Sequence, residues 1–184
     1  QDYTDATLHL LDKAALPELP CIAEIGPGDG SLLPELARRA GKVIALDTSE
    51  VMLQSARSNA YGLDNIVFLL GDTQHPALTE QRIDVIVANM VLHHTPDPQT
   101  TLAHAATHLA PGGVFIISEL CAHDQLWARE HCGDLWLGFT PEQLGQWAEA
   151  AGLERAAEIF IGQRNGFQIQ VRLFIKTTLT GNQA

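Results

Sequence analysis

The sequence predicts an α/β protein with a doubly wound, mostly parallel sheet of seven strands that ends in an antiparallel C-terminal hairpin. Short, near-continuously apolar runs alternate with segments of helical spacing, which is typical of parallel strands buried on both faces. A glycine-rich segment directly follows the first apolar run and opens a helical segment. The last third instead alternates apolar and polar residues, as the strands of a hairpin do.

Five apolar runs of four to six residues form the predicted parallel part of the sheet. They are 21–25, 43–46, 66–70, 83–88 and 114–118. The segments between them carry apolar side chains at helical spacing, as in Leu32, Leu33, Leu36 and Ala37 of the first and Leu102, Ala105, Ala106 and Leu109 of the third. Ser31 and Ser49 are predicted helix N-caps, and Pro111-Gly112-Gly113 is predicted to break the chain before the fifth strand. Such alternation implies right-handed crossovers between parallel strands.

The C-terminal third adds a helix and two strands. A helix is predicted over 141–151 with Thr140 as its N-cap, and strands over 158–161 and 168–177 are joined by a turn at Gly166. The segment between the fifth strand and this helix, about 121–140, is predicted to be a short helical cap insert. Neither a linker nor an internal repeat interrupts the pattern, so residues 1–184 are predicted to form a single domain.

Composition restricts the classes of partner and compartment. The 184 residues include 11 Lys and Arg against 22 Asp and Glu, so the formal net charge is −11. We therefore do not expect this chain to bind nucleic acid directly. No apolar run reaches the roughly 18 residues that a membrane span requires. Three scattered cysteines favour a reducing cytoplasm over a disulfide framework. The chain begins with Gln1 rather than Met, and we expect it to be a piece of a longer protein.

The segment 24–30 reads E-x-G-x-G-x-G, with glycines at Gly26, Gly28 and Gly30. In doubly wound sheets a ligand binds beyond the carboxyl ends of the strands, and glycine lets the backbone approach it closely. The dinucleotide pattern has a glycine at its sixth place, where this sequence has Ser31, so a nicotinamide-dependent dehydrogenase is disfavoured. The alternative is a tight turn that holds no ligand.

Two acidic residues follow later strands. Asp47 ends the second predicted strand, where a carboxylate can accept hydrogen bonds from both hydroxyls of a ribose. Asp72 follows the third strand and could accept from the exocyclic amine of adenine. Either residue alone could serve in a loop or as a helix cap. Together with the glycines, they predict one nucleoside site at the ends of three successive strands.

These motifs resemble those of the class I S-adenosylmethionine (SAM)-dependent methyltransferases, which have a Rossmann-like fold. The resemblance covers nearly the whole chain, and the segment 92–98 (LHHTPDP) is similar to one in the ubiquinone and menaquinone methyltransferases. The stretches 123–127 (HDQLW) and 135–139 (LWLGF) look like the methyltransferase-like domain that follows an ArsR-type DNA-binding domain in some bacterial regulators. The resemblance implies SAM as cofactor, S-adenosylhomocysteine (SAH) as product and a small-molecule methyl acceptor as partner.

Applied residue by residue, the resemblance assigns cofactor contacts to residues near the carboxyl ends of the predicted strands. The residues are Glu24, Gly26, Gly28, Gly30, Asp47, Ser49, Met52, Asp72, Thr73, Asn89 and Leu92. The methionine part of SAM would lie on the glycines, the ribose on Asp47, and the adenine beside Asp72 and Thr73. Tyr3 is expected to fold over the site.

His93 and His94 stand where the acceptor is expected to approach, and imidazole titrates in the range that a general base needs. Both are candidate catalytic residues, with the alternative that they only hydrogen-bond their loop. A metal site is not expected, because His104 and His108 lack a third ligand nearby in sequence and the cysteines show no C-x-x-C spacing. The aromatic residues Trp127, Trp136, Phe139 and Trp147 could line the acceptor pocket, form a dimer interface or pack a helical cap.

Two functions of different classes remain open from the sequence. The first is an enzyme that methylates a small, partly apolar acceptor. The second is an effector domain that binds SAM or SAH and reports to an ArsR-type DNA-binding domain preceding Gln1. The glycines and the two aspartates serve both functions, because they contact the nucleoside rather than the acceptor. A homodimer is compatible with either.

Overall fold

A computed structural model describes residues 2–178 of the chain. Seven strands form one sheet, as the sequence predicts. The strands are β1 (Cys21–Ile25), β2 (Lys42–Asp47), β3 (Ile66–Leu70), β4 (Ile83–Asn89), β5 (Leu109–Leu120), β6 (Leu153–Gly162) and β7 (Gln168–Lys176). The helices are α1 (Tyr3–Lys13), α2 (Leu33–Arg39), α3 (Glu50–Asn59), α4 (Pro98–Thr107), α5 (Trp127–His131) and α6 (Pro141–Ala150). Short 3-10 turns lie at Pro76–Leu78 and Leu92–His94.

The strand order β3-β2-β1-β4-β5-β7-β6 places the reversal of the winding between β1 and β4. The first five strands pair in parallel, and β7 pairs antiparallel with both β5 and β6. The carboxyl ends of β1 and β4 separate at this reversal, because their following helices cover opposite faces of the sheet. A ligand crevice is therefore expected there.

The side chains of the central strands alternate between two hydrophobic cores, one on each face of the sheet. One core packs α1, α2 and α3 on residues such as Ile22, Val43 and Val85. The other packs α4 and α6 on the neighbouring positions Ala23, Ile44 and Ile86. Strands buried on both faces are near-continuously apolar for this reason, so the apolar runs predicted the parallel strands.

Several predicted boundaries were wrong. Ser31 does not cap the first helix, because α2 begins at Leu33 after Leu32 and has no side-chain cap. Pro111-Gly112-Gly113 lies inside β5, where the pairing register with β4 shifts between Ile83 and Val85, rather than before the strand. Strand β6 begins at Leu153 instead of residue 158. Ser49 and Thr140 do cap their helices, accepting hydrogen bonds from the backbone N–H of Met52 and Gln143.

The segment 121–140, called the cap segment below, contains one short helix, α5. Its far end returns to β5, where the Phe139 N–H donates to the Leu120 carbonyl and Cys121 pairs with Phe139. Trp136, Phe139 and Trp147 pack together with ring centroids 5.4–6.3 Å apart. Trp127 was wrongly grouped with them, because it contacts Phe167 and is 44% exposed. None of the helices within residues 2–178 has the length and apolar character to cross a membrane.

Gly138 fixes the return of the cap segment to β5, and its replacement should show how tight that contact is. A Cβ at Gly138 would lie 2.3 Å from the Cys121 carbonyl oxygen, with a φ of +75°. Gly133 has a similar φ of +72°, but a Cβ there would meet nothing within 4 Å. Ala at either position should lower the free energy of unfolding by about 1–2 kcal/mol, because Ala disfavours a left-handed backbone conformation. Gly138→Ala should lower it by roughly 1–3 kcal/mol more, because the new Cβ would clash with the Cys121 carbonyl oxygen.

Urea denaturation of Gly138→Ala, Gly133→Ala and the parent measures these free energies of unfolding. Equal losses in the two variants would show that the cap segment adjusts freely and that Gly138 is needed only for its backbone conformation.

Candidate active site

A cleft of about 680 Å³ opens at the carboxyl ends of β1, β2 and β4. Predicted site residues in its lining are Gly26, Gly28, Asp47, Met52, Asp72, Thr73, Asn89 and His94. Residues that the sequence did not suggest also line it, including Thr48, Gln74, Met90, Thr95, Thr101 and His104. Glu24, Gly30, Ser49, Leu92 and His93 lie outside the lining. The structure thus brings together most of the predicted nucleoside site.

Two glycines leave the floor of the cleft open. Gly28 has a φ of +58°, and the nearest atom to a Cβ built there would be Met52 Cε at 3.9 Å. A side chain at Gly28 would therefore enter the cleft. Gly26 has a φ of +64°, and a Cβ there would lie 2.7 Å from Val91 Cγ2. The backbone at both positions is exposed to a ligand because only hydrogen occupies the side-chain position.

Gly30 has a packing role that the resemblance did not predict. A Cβ at Gly30 would lie 2.7 Å from Ala56 Cα, so this glycine lets the chain pack closely on α3. Ser49 is likewise held away from the cleft lining as the N-cap of α3. Leu92 is 2% exposed and belongs to the core under α4.

The two aspartates present carboxylates on the same side of the cleft. Asp47 ends β2, and its Oδ1 accepts a hydrogen bond of 2.9 Å from the Ser49 N–H. Asp72 lies just beyond β3, and its Oδ1 accepts one of 2.9 Å from the Gln74 N–H. Each carboxylate is thus oriented by its own loop and retains a second oxygen for a ligand. The neighbouring Thr73 is buried, and its carbonyl accepts from His108 Nε2 at 2.6 Å.

The chain leaves β4 in an unusual conformation. Met90 has a φ of +57°, and within residues 2–178 it is the one non-glycine residue with a positive φ. Its N–H donates to the Ser118 carbonyl at 2.8 Å, which holds it against β5. The preceding Asn89 is tied to α1, since Thr7 Oγ1 lies 3.3 Å from Asn89 Oδ1. Backbone strain of this kind concentrates at functional sites, where surrounding contacts maintain it.

A carboxyl group is buried under the glycine segment. Glu24 is 3% exposed, and no hydrogen-bond partner for its Oε2 lies within the described residues. Burial, and secondarily the charge of Asp29, raises the pKa of Glu24 from 4.5 to about 8. Tyr3 lies near enough to be affected as well, because burial and then the charges of Asp2, Asp29 and Glu24 raise its pKa.

The two histidines of the turn after β4 have different environments. His93 is 4% exposed, and its Nδ1 lies 2.7 Å from Glu119 Oε2. Glu119 is fully buried, and its Oε1 also accepts from the N–H groups of Leu92 at 2.6 Å and His93 at 3.3 Å. Burial opposes the charge on His93, but Glu119 and then Asp134 outweigh it and raise the pKa of His93. The His94 side chain is 46% exposed and faces the cleft.

Sequence reasoning missed Glu119 and Asp134. Glu119 was detectable in principle, because a carboxylate that ends an otherwise apolar strand is seldom buried without a partner. Asp134 lies in the cap segment, where an aspartate has no distinctive local pattern. The distance that brings it to His93 Nε2, 3.7 Å, depends wholly on tertiary structure.

The buried Glu24 should make stability depend on pH. Its folded-state pKa of about 8 lies above the 4.5 of an ordinary glutamate, so its stabilising contribution is full below pH 4.5. That contribution is lost as pH rises toward 8, at about 1.4 kcal/mol per pH unit at most. Glu24→Gln removes this loss, so the variant should gain stability relative to the parent between pH 5 and pH 8, as measured by urea denaturation. Glu80→Gln, which removes an exposed carboxylate, is the control, and a pH-independent difference for Glu24→Gln would contradict the assignment.

Comparison with known proteins identifies relatives of this chain. Trans-aconitate 2-methyltransferase of Variovorax paradoxus is 37% identical over 118 residues, which are 63% of this chain and 44% of that protein. The ubiquinone biosynthesis O-methyltransferase of Coxiella burnetii is 27% identical over 146 residues, or 72% of this chain and 62% of that protein. The chain thus spans about half the length of these curated relatives.

Solved structures share the fold. The N-methyltransferase NodS from Bradyrhizobium japonicum, in complex with SAH, matches with a TM-score of 0.78 at 18% identity and covers 96% of this chain and 86% of its own. The [4+2]-cyclase SpnF matches with a TM-score of 0.81 at 16% identity, over 95% of this chain and 82% of its own. The family model of a methyltransferase domain matches residues 1–160. With its glycine segment, its strand order and this match over most of its length, the chain belongs to the class I SAM-dependent methyltransferases.

Proposed function

We propose that this protein transfers the methyl group of SAM to a small-molecule acceptor bound in the cleft. The observation that carries the proposal is the convergence of Gly28, Asp47 and Asp72 on one cleft at the point where the winding reverses. An open glycine floor flanked by two oriented carboxylates suits a nucleoside that carries a positively charged tail. The names of the two relatives, a trans-aconitate 2-methyltransferase and a ubiquinone biosynthesis O-methyltransferase, are consistent with a small-molecule acceptor.

The residues present fit the cofactor. The backbone at Gly26 and Gly28 would hold the methionine part. The buried Glu24, whose Oε2 has no hydrogen-bond partner within the described residues, lies two residues before Gly26. Asp47 would accept from the ribose hydroxyls, and Asp72 from the adenine amine. Met52 borders the same part of the cleft and supplies an apolar contact for the ring.

The protein's task in such a reaction is mainly alignment. Bound SAM supplies a methyl group on a sulfonium, which is already activated toward displacement. The chain must hold the acceptor in line and exclude water. Asn89, the strained Met90 and His94 line the cleft on the side of β4, across β1 from the aspartates. We propose that the acceptor binds against this wall.

The two histidines would then divide their roles. His94 faces the cleft and can contact the acceptor or receive its proton. His93 is buried against Glu119, so we propose that it positions the turn rather than acting as the general base.

Calorimetric titration with SAM and with SAH, followed by an SAH-release assay over a panel of carboxylic acids, phenols and amines, tests the proposal. We expect binding of both nucleosides and turnover with at least one acceptor class. Binding without turnover on any of them, and with a strong preference for SAH, would favour the effector function instead. Failure of a folded sample to bind either nucleoside would reject both functions.

Asp47→Ala should weaken SAH binding by about 10- to 100-fold, because it removes a charged acceptor of the ribose hydroxyls. Asp47→Asn keeps the shape of the side chain and should also weaken binding, which separates the loss of charge from a disturbed Ser49 contact. Asp64→Ala removes an exposed carboxylate remote from the cleft lining and serves as the matched control. Titration calorimetry measures all three. Unchanged affinity in Asp47→Ala would show that the ribose is bound elsewhere.

A further inference from the structure

Three side chains beside the cleft direct potential metal ligands at one point. They are His93, His94 and Asp134, here called the histidine–aspartate cluster. One ring nitrogen of each histidine and one carboxylate oxygen of Asp134 all lie within 4.8 Å of one another. Within residues 2–178, this is the one group of at least three His, Cys, Asp or Glu side chains that meets such a criterion. His104, His108 and the three cysteines, which the sequence analysis considered as metal ligands, do not form such a group in the described structure.

The distances in the cluster suit a shared ion better than hydrogen bonds. Asp134 Oδ1 lies 3.7 Å from His93 Nε2 and 3.7 Å from His94 Nδ1. Both separations exceed hydrogen-bond length. His94 Nδ1 instead lies 3.3 Å from the Gly133 carbonyl oxygen, a weak contact at the exposed end of the cluster that metal binding would replace. Ligand atoms around a tetrahedral zinc, each about 2.0–2.2 Å from the metal, are roughly 3.4 Å apart. A small contraction of the cluster would therefore place all three atoms at coordination distance.

Glu119 orients the His93 ring for this role. Both oxygens of its carboxylate accept backbone N–H bonds, Oε1 from Leu92 at 2.6 Å and Oε2 from Leu120 at 3.3 Å. Glu119 is therefore placed as an acceptor, and His93 Nδ1 donates to it at 2.7 Å. With the proton on Nδ1, the lone pair of Nε2 points toward Asp134. A carboxylate behind a metal-binding histidine commonly fixes its tautomer in this way.

The charge balance of the cluster also calls for a cation. Glu119 and Asp134 are 0% and 6% exposed, so two buried carboxylates lie at opposite ends of the His93 ring. No hydrogen-bond donor reaches the Asp134 carboxylate from the residues that the structure describes; its partners are the two imidazoles at 3.7 Å. A buried carboxylate facing a lone pair is costly unless a positive charge lies between them.

We propose that His93 Nε2, His94 Nδ1 and Asp134 Oδ1 bind one divalent cation, and that its preferred identity is Zn²⁺. Two imidazoles and one carboxylate are ligands that zinc favours, whereas magnesium and calcium favour oxygen alone. Three protein ligands leave a fourth position open. Because His94 also lines the cleft, that position lies at the cleft wall on the proposed acceptor side.

The open position has a consequence that rests on the proposed methyl transfer. A zinc ion at this wall would take over the proton-accepting role proposed for His94, because a His94 that binds zinc through Nδ1 carries its proton on Nε2. The ion would bind the oxygen of a hydroxyl or carboxyl acceptor and favour its deprotonated form, with the proton released to solvent. The nucleophilic oxygen would then be held opposite the aspartates that are proposed to bind the nucleoside. Binding of the ion itself does not depend on SAM.

The test is competition for Zn²⁺ against a chromophoric chelator, using the whole chain after removal of metal. We expect one Zn²⁺ per chain. Asp134→Asn and His94→Ala should each weaken Zn²⁺ binding by at least about tenfold, and Glu119→Gln by about 10- to 100-fold through the orientation of His93. His94→Ala is the variant best suited to remain folded, because that side chain is half exposed. Circular dichroism checks the fold of each variant without metal.

His131→Ala and Cys132→Ser are the matched controls, since both side chains are exposed on or beside α5, close to Asp134 in sequence. Both should bind Zn²⁺ like the parent. No binding to a folded parent would overturn the proposal and leave His93 as a charged partner of the two carboxylates. Loss of binding in the controls but not in His94→Ala would also overturn it, because the metal would then occupy an adventitious surface site. Failure of SAM binding in a chain that still binds Zn²⁺ would count against the proposed function alone.

Discussion

The buried carboxylate of Glu119 is the contact on which the β4 side of the cleft depends. It lies at the end of β5, yet it accepts two backbone N–H groups from the turn after β4 and the Nδ1–H of His93. The His93 carbonyl in turn accepts from the N–H groups of Leu135 and Trp136 in the cap segment. The Glu119 side chain thus links β5 to the turn after β4, and that turn is hydrogen-bonded to the cap segment. Because Glu119 is fully buried, each of these bonds is made in a low-dielectric setting, where losing one is costly.

The nucleoside side of the cleft is built differently, from backbone conformation rather than from side-chain contacts. Gly26 and Gly28 take left-handed backbone conformations at the end of β1, and the Val91 side chain occupies the space that a Cβ at Gly26 would need. The same region contains Met90, whose φ is also positive. The two strand ends at the reversal of the winding therefore shape each other: strain in the turn after β4 is accommodated by the absence of a side chain after β1.

A shared fold does not fix the reaction that this cleft performs. NodS and SpnF resemble this chain to similar extents, with TM-scores of 0.78 and 0.81, although one is named an N-methyltransferase and the other a cyclase. What distinguishes members of such a fold is the wall opposite the nucleoside. In this chain that wall combines Asn89, the strained Met90 and His94, and Asp134 of the cap segment lies 3.7 Å behind His94 Nδ1. Chemical specificity is accordingly to be sought in these residues.

The sequence by itself determined the parallel sheet and predicted several residues that line the cleft at the ends of β1, β2 and β3. Strand runs such as 21–25 and 66–70 were found to the residue, because burial on both faces imposes a local apolar pattern. Gly28, Asp47 and Asp72 were predicted to lie together because each is at or just beyond the carboxyl end of a strand, and these ends meet at one edge of a parallel sheet. The packing role of Gly30 was not predicted, because its partner, Ala56, lies on a helix that the local pattern does not connect to it.

Only the tertiary structure decided the arrangement of the other wall. His93 and His94 are adjacent in sequence, yet one ring is buried against Glu119, 26 residues away, and the other lines the cleft. Nothing local distinguishes them, because a 3-10 turn directs neighbouring side chains about a third of a turn apart and the packing around it selects which is buried. Asp134 reaches the same place by the path of the cap segment, which Gly138 and Phe139 return to β5. Contacts between distant segments follow from how the chain packs, and a pattern of neighbouring residues does not record them.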